Sequence, residues 1–132
     1  MQTTTNISYI KSGATKLKDF LSENYFKILL GLFEGSNVAD YLITADGWSK
    51  GRGGEENEAM LKMMIQHGPY VGGGIVAGVE GILTPLYAYT GKKILEAIPE
   101  LHKYPRIKKV FPALILIWGT SRHIAGVSSW LR

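Results

Sequence analysis

The chain contains no cysteine. Disulfides, thiolate metal knuckles and cysteine nucleophiles are therefore excluded. Histidine is scarce, at three residues, and no Ser-His-Asp arrangement is evident, so a nucleophilic enzyme is not expected. The Gly51-Arg52-Gly53-Gly54 stretch lacks the spacing and the preceding strand of a phosphate-binding loop. A long apolar leader is also missing. The N-terminal MQTTTNISYIKSGATKLKDF has no uninterrupted apolar core followed by a small-residue cleavage site, and no cleavable signal peptide is expected. Overall apolarity is modest too, with a mean hydropathy of +0.03. A length of 132 residues accommodates one domain.

What is present is a distribution rather than a bulk excess. Apolar residues gather in three blocks, 25–44, 70–90 and 110–131, and most charges lie between them. Each block is about 20 residues, enough at about 1.5 Å per residue to cross a hydrocarbon layer of about 30 Å. The expected fold class is all-α, a polytopic membrane protein with three transmembrane helices. Ahead of them, Ile7, Ile10, Ala14, Leu17 and Leu21 recur at three- and four-residue steps, with Lys11, Lys16 and Lys18 off that stripe. That pattern predicts an amphipathic helix over 6–24, suited to an anionic membrane surface or to the protein's own core. Gly13 weakens it and is a candidate break.

Between the first two blocks, residues 45–69 read as an outer connector. It is a Gly-rich polar turn with Trp48 as an interfacial anchor, then a short helix AMLKMMIQH. Asn57 is its expected N-cap, and Gly68-Pro69 its expected stop. Residues 91–109 form a basic connector broken by Pro99 and Pro105, and Pro112 falls in the first turn of block three. Pro85 is expected to kink or end the regular part of block two.

Orientation follows from counting Lys and Arg. Ten lie on the side of the N-terminus and the second connector, and four on the side of the first connector and the C-terminus. The positive-inside rule puts the N-terminus in the cytoplasm and the C-terminus outside a cell membrane, most simply a prokaryotic one. The net charge of +4 is thereby accounted for by topology, without invoking nucleic acid.

Three constellations carry potential chemistry. Glu34, Asn37, Asp40 and Thr44 step by three, three and four along one helix face, and Glu80, Arg122 and His123 interrupt the other two blocks. Charges in hydrocarbon are costly, so these residues are expected to face one another as an intramembrane polar network, with Arg122 paired to Asp40 or Glu80. The network would act as a structural seam between helices, as an ion or proton path, or as a metal site built on His123 and the carboxylates. Met60, Met63, Met64 and His67 share a helix face and would suit copper(I), or equally an apolar face packed on the bundle. The acidic run Glu55, Glu56, Asn57 and Glu58 reads as a solvated helix start or, less simply, a hard-cation site without EF-hand spacing. Small residues (Gly72, Gly73, Gly74, Gly78, Gly81, Gly119 and Gly126) are expected to let helices approach closely.

The sequence N-x-x-D-x-x-x-T at Asn37, Asp40 and Thr44, followed by Glu56-Asn57 before a second span, resembles a family of small polytopic membrane proteins of archaea and bacteria. In that family an Asp-Thr membrane helix precedes a Glu-Asn-Pro signature. Here Glu58 stands in place of the proline. The family has no assigned chemistry; the resemblance implies membrane character and a link between Asp40 and Glu56-Asn57.

The expected function is a non-catalytic accessory or structural subunit of a larger integral-membrane complex. A redox or metal-dependent, copper monooxygenase-like assembly is the setting in which the Met/His cluster would fit, although no cofactor is required by the chain itself. The alternative is a small oligomeric ion or proton channel or transporter protomer using the intramembrane carboxylates. Expected partners are other membrane subunits or further copies of the chain, with anionic lipid at the basic face.

Overall fold

The computed structural model describes residues 3–52 and 57–131, with side chains from residue 13 onward. Glu55 and Glu56 lie outside the described residues, so the acidic run and the Glu56-Asn57 part of the resemblance are not placed. The described chain is all-α. Helix α1 spans Thr3–Ser49, α2 Glu58–His67, α3 Pro69–Ala97 and α4 Pro105–Trp130, with a 3₁₀ turn at Pro99–Lys103. Helices α1, α3 and α4 pack against one another, and α2 folds back on α3.

Two boundaries differ from the sequence expectation for the first helix. The amphipathic segment 6–24 and the apolar block 25–44 are one continuous helix, which runs on through Trp48 to Ser49. No proline interrupts this stretch, and Gly13 alone costs only about 1 kcal/mol of helix propensity, too little to break it. The helix closes through hydrogen bonds from Gly51 N to Trp48 O and Arg52 N to Gly47 O, with Gly51 at φ +71°. Only glycine adopts that conformation without strain.

Asn57 caps α2 as expected, its side-chain oxygen accepting from the Ala59 and Met60 amides at 3.1 and 3.2 Å. The helix ends at His67, and Gly68 at φ +83° turns the chain directly into α3 with Pro69 in its first turn. Helix α3 outruns its expected end at residue 90. Pro85 neither ends it nor shortens it, and the Gly91–Ala97 part of the expected connector is helical. Pro105 begins α4, so block three starts five residues earlier than expected and Pro112 lies inside the helix, two turns from its start. A proline at the first helical position loses no hydrogen bond, which explains why Pro105 opens the helix.

Two helices, α3 and α4, are long and apolar enough to cross a membrane. The second half of α1 does not reach that apolarity, because Glu34, Asn37 and Asp40 occupy it. The apolar core is small: Phe33, Ala88 and Leu116 are fully buried, with Phe26, Leu29, Leu30 and Ile115 around them. It fills one half of the three-helix bundle. Two basic side chains, Lys92 and Lys109, lie at that same end. Lys109 Nζ bonds Ser22 Oγ at 2.9 Å, and Lys92 lies 5.2 Å over the Phe26 ring. Beyond Ser22, α1 continues back to Thr3 as an arm about 30 Å long at 1.5 Å per residue. Residues 13–23 of this arm are exposed, including Leu17, Phe20 and Leu21.

Candidate functional site

The polar stripe of α1 faces the other two helices, in the half of the bundle that the apolar core does not fill. Asn37, one turn after Phe33, is 4 % exposed, and its amide donates to Ala77 O of α3 at 2.9 Å. Thr44 is buried a further two turns along. Asp40 accepts from His123 Nδ1 at 2.9 Å, which joins α1 to α4. His123 is itself 5 % exposed, and its ring lies against Phe33 with centroids 5.4 Å apart. Its other ring nitrogen, Nε2, is buried without a hydrogen-bond partner and faces Glu80 Oε1 of α3 at 3.7 Å. One imidazole thus stands between two carboxylates, each carried by a different helix.

This line opens into a cavity of about 650 Å³. Asp40, Glu80, Arg122 and His123 line it, with Tyr41, Asn57 and Trp130 among the other lining residues. It lies at the end of the bundle remote from Lys92 and Lys109. On its other side the His123 ring meets Phe33, where the apolar core begins.

Arg122 is the departure from expectation. It is exposed and stacks 5.1 Å over the Trp118 ring, and among the described residues it forms no ion pair with Asp40 or Glu80. A helix turns 100° per residue, so only one of two adjacent side chains faces the bundle. His123 takes that inward place and both acids. Glu34 faces α3 instead, beside Gly81: a Cβ on Gly81 would come within 3.0 Å of Asn37 Nδ2 and 3.2 Å of Glu34 Oε2.

The glycines divide in the same way. A Cβ on Gly119 would lie 2.7 Å from the Phe33 ring, and one on Gly126 would strike the Asp40 carboxylate. Gly73 and Gly74 abut the Tyr41 ring, and Gly72 abuts the Met63 backbone. Gly78 has nothing within 4 Å, so of the Gly74–Gly78 pair only Gly74 meets another helix of this chain. On α2, Met60 and Met64 are buried, Met63 is half-buried and His67 is exposed. Met60 Sδ packs toward Gly73, the use an apolar face on the bundle makes of methionine.

The sequence did not single out Tyr41, Phe33 or Trp130. Tyr41 donates to Tyr70 O at 2.9 Å, pinning α1 to the start of α3. It lies four residues after Asn37, so the stripe's own periodicity reaches it. Phe33 and Trp130 carry no comparable signal, because their roles depend on Gly119 and Gly47 of other helices.

No protein-family model, curated protein or solved structure matches this chain.

Proposed function

We propose that the chain is a three-span integral-membrane subunit of a larger assembly, with the second half of α1 as the third span. The observation that carries this reading is the arm of α1. A continuous 47-residue helix is about 70 Å long, more than twice a hydrocarbon layer. Its first half lies beyond the bundle with Leu17, Phe20 and Leu21 uncovered. The 3-4-3-4 spacing of Ile7, Ile10, Ala14, Leu17 and Leu21 is that of a helix seam, which a partner helix would cover. In this reading the basic end of the bundle is cytoplasmic and the cavity opens outward. The polar seam of α1 is then shielded from lipid by α3 and α4.

The test is extraction from native membranes in mild detergent followed by native electrophoresis. Co-migration with larger unrelated membrane subunits is the expected result, and loss of co-migration on joint Leu17→Asp and Leu21→Asp substitution locates the contact. A chain that runs only as monomer or homo-oligomer would overturn the reading.

The Asp40–His123–Glu80 line supports the second reading, a proton or ion path. In this reading the path would be completed by oligomerisation of the chain. Proton flux into vesicles holding the purified chain, lost in Glu80→Gln, would favour it over the subunit reading.

A further inference from the structure

We propose that the groove between α1 and α3 seats the Trp118–Arg122 pair of a second copy of this chain, with Arg122 of one copy paired to Glu34 of the next. This contact rests on the membrane placement proposed above. Two acids of the bundle are already engaged: Asp40 meets His123 Nδ1 at 2.9 Å, and Glu80 faces Nε2 of the same ring at 3.7 Å. Glu34 is not. It is half-buried, and among the described residues it has no hydrogen bond or ion pair. Arg122, among the same residues, has only the Trp118 ring against its guanidinium. An isolated charge in hydrocarbon is costly, and pairing with its opposite offsets part of that cost.

The two charges stand at one depth. Helices α1 and α4 run in the same direction, with Ser22 beside Lys109, Phe33 beside Gly119 and Asp40 beside Gly126. Glu34 follows Phe33 and Trp118 precedes Gly119, so both flank the same contact. The Arg122 side chain reaches back one turn to lie 5.1 Å over the Trp118 ring, which returns its guanidinium to the level of Glu34. Within one chain, however, they belong to different faces. Glu34 lines the groove against α3, and Arg122 lines the outer cavity.

Shape agrees with charge. The groove holds about 420 Å³, and its α3 wall includes Gly74, Ala77, Gly78 and Gly81. A Cβ at Gly78 would meet nothing within 4 Å, so no side chain of this chain fills that wall. Trp118 is 61 % exposed and carries the guanidinium stacked on it, a flat apolar projection with one cation. Trp and Arg are the side chains that most often anchor interfaces. Small residues on α3 let the projection approach, and Glu34 on the opposite wall receives the arginine fork. Because the two surfaces differ, the contact is head-to-tail and closes as a ring of three or more copies about an axis normal to the membrane. Such a ring stands alone or within the larger assembly, so its presence and that of unrelated subunits are separate questions.

The experiment is oxidative cysteine cross-linking in native membranes and in liposomes holding the purified chain. Val38 lines the groove, and Ala125 lies one turn beyond Arg122 at the depth of Val38. Val38→Cys and Ala125→Cys in one chain should give a ladder of dimer, trimer and higher species. Either cysteine alone should give none, and the two single variants together should give dimer only. Glu34→Arg or Arg122→Glu should each remove the ladder, and the two combined should restore it, a rescue that a merely structural role does not produce. Gly78→Phe has open space within one chain and should also remove the ladder while far-UV circular dichroism remains helical. Membrane-bound, helical chain without a ladder, a ladder indifferent to both charge reversals, or cross-links to an unrelated protein in its place would overturn the proposal. Those results leave the membrane placement standing. Recovery of the chain without detergent would instead remove that placement and the contact with it.

Discussion

His123 is the residue on which the cavity end of the bundle depends. It is buried, meets Phe33 on one side, and bonds Asp40 at 2.9 Å. Replacing Asp40 with Ala removes the acceptor and leaves a buried ring N–H unpaired. That should lower stability by about 1–3 kcal/mol, read as a shift in the unfolding midpoint in detergent. The two classes of glycine give an internal comparison. Gly119→Ala drives a methyl into the Phe33 ring, and overpacking of this kind costs about 1–3 kcal/mol. Gly78→Ala meets nothing within 4 Å and should be neutral or stabilising by up to about 1 kcal/mol, because alanine is the better helix former. Thermal melts of the two variants side by side would check both signs.

At the scale of the element, α1 and α2 behave differently from each other. Helix α2 is ten residues long, too short to be stable in isolation, and its N-terminus is capped by Asn57. Asn57→Ala should cost about 1 kcal/mol, seen as faster amide exchange over Glu58–Met64 with the rest of the chain unchanged. Helix α1 needs no such device within its length. Its continuity past Gly13 has a consequence: Gly13→Ala should leave the fold intact and raise helicity of the arm, whereas a hinge at that position would give no gain. Site-directed spin labels on either side of residue 13 would distinguish a rigid rod from two jointed pieces. The charged stripe also explains why α1 fails the apolarity that α3 and α4 meet. Its polar face is satisfied by neighbouring helices, through Asn37 to Ala77 O and Asp40 to His123.

At the scale of the whole molecule, the bundle has two unlike halves. One is apolar around Phe33, Ala88 and Leu116 and carries Lys92 and Lys109 at its end. The other is a polar cavity walled by Asp40, Glu80 and His123. If the basic end is cytoplasmic, a membrane-impermeant maleimide should label a cysteine placed at Ser129 from outside intact cells and should not label one placed at Lys103. The reverse pattern would invert the proposed orientation. The chain has no native cysteine, so each engineered thiol is the only one reacting.

Much of this was legible without a structure. The 3.6-residue periodicity and the apolar blocks determined the helices, since both depend on residues close in sequence. The Asn57 cap and the Gly68-Pro69 stop are local chemistry as well, and both stand where expected. The α1 stripe singled out Asn37, Asp40 and Thr44, because a polar face on an apolar helix must be covered. Tertiary structure alone decided which residue meets which. Arg122 and His123 are adjacent, and sequence charge favoured the arginine as the partner of Asp40. The rotation of α4 set by Gly119 against Phe33 and Gly126 against Asp40 turned the imidazole inward and left the guanidinium on Trp118. Where a helix face points depends on close approaches between distant positions, and the spacing of residues along one helix carries no record of them.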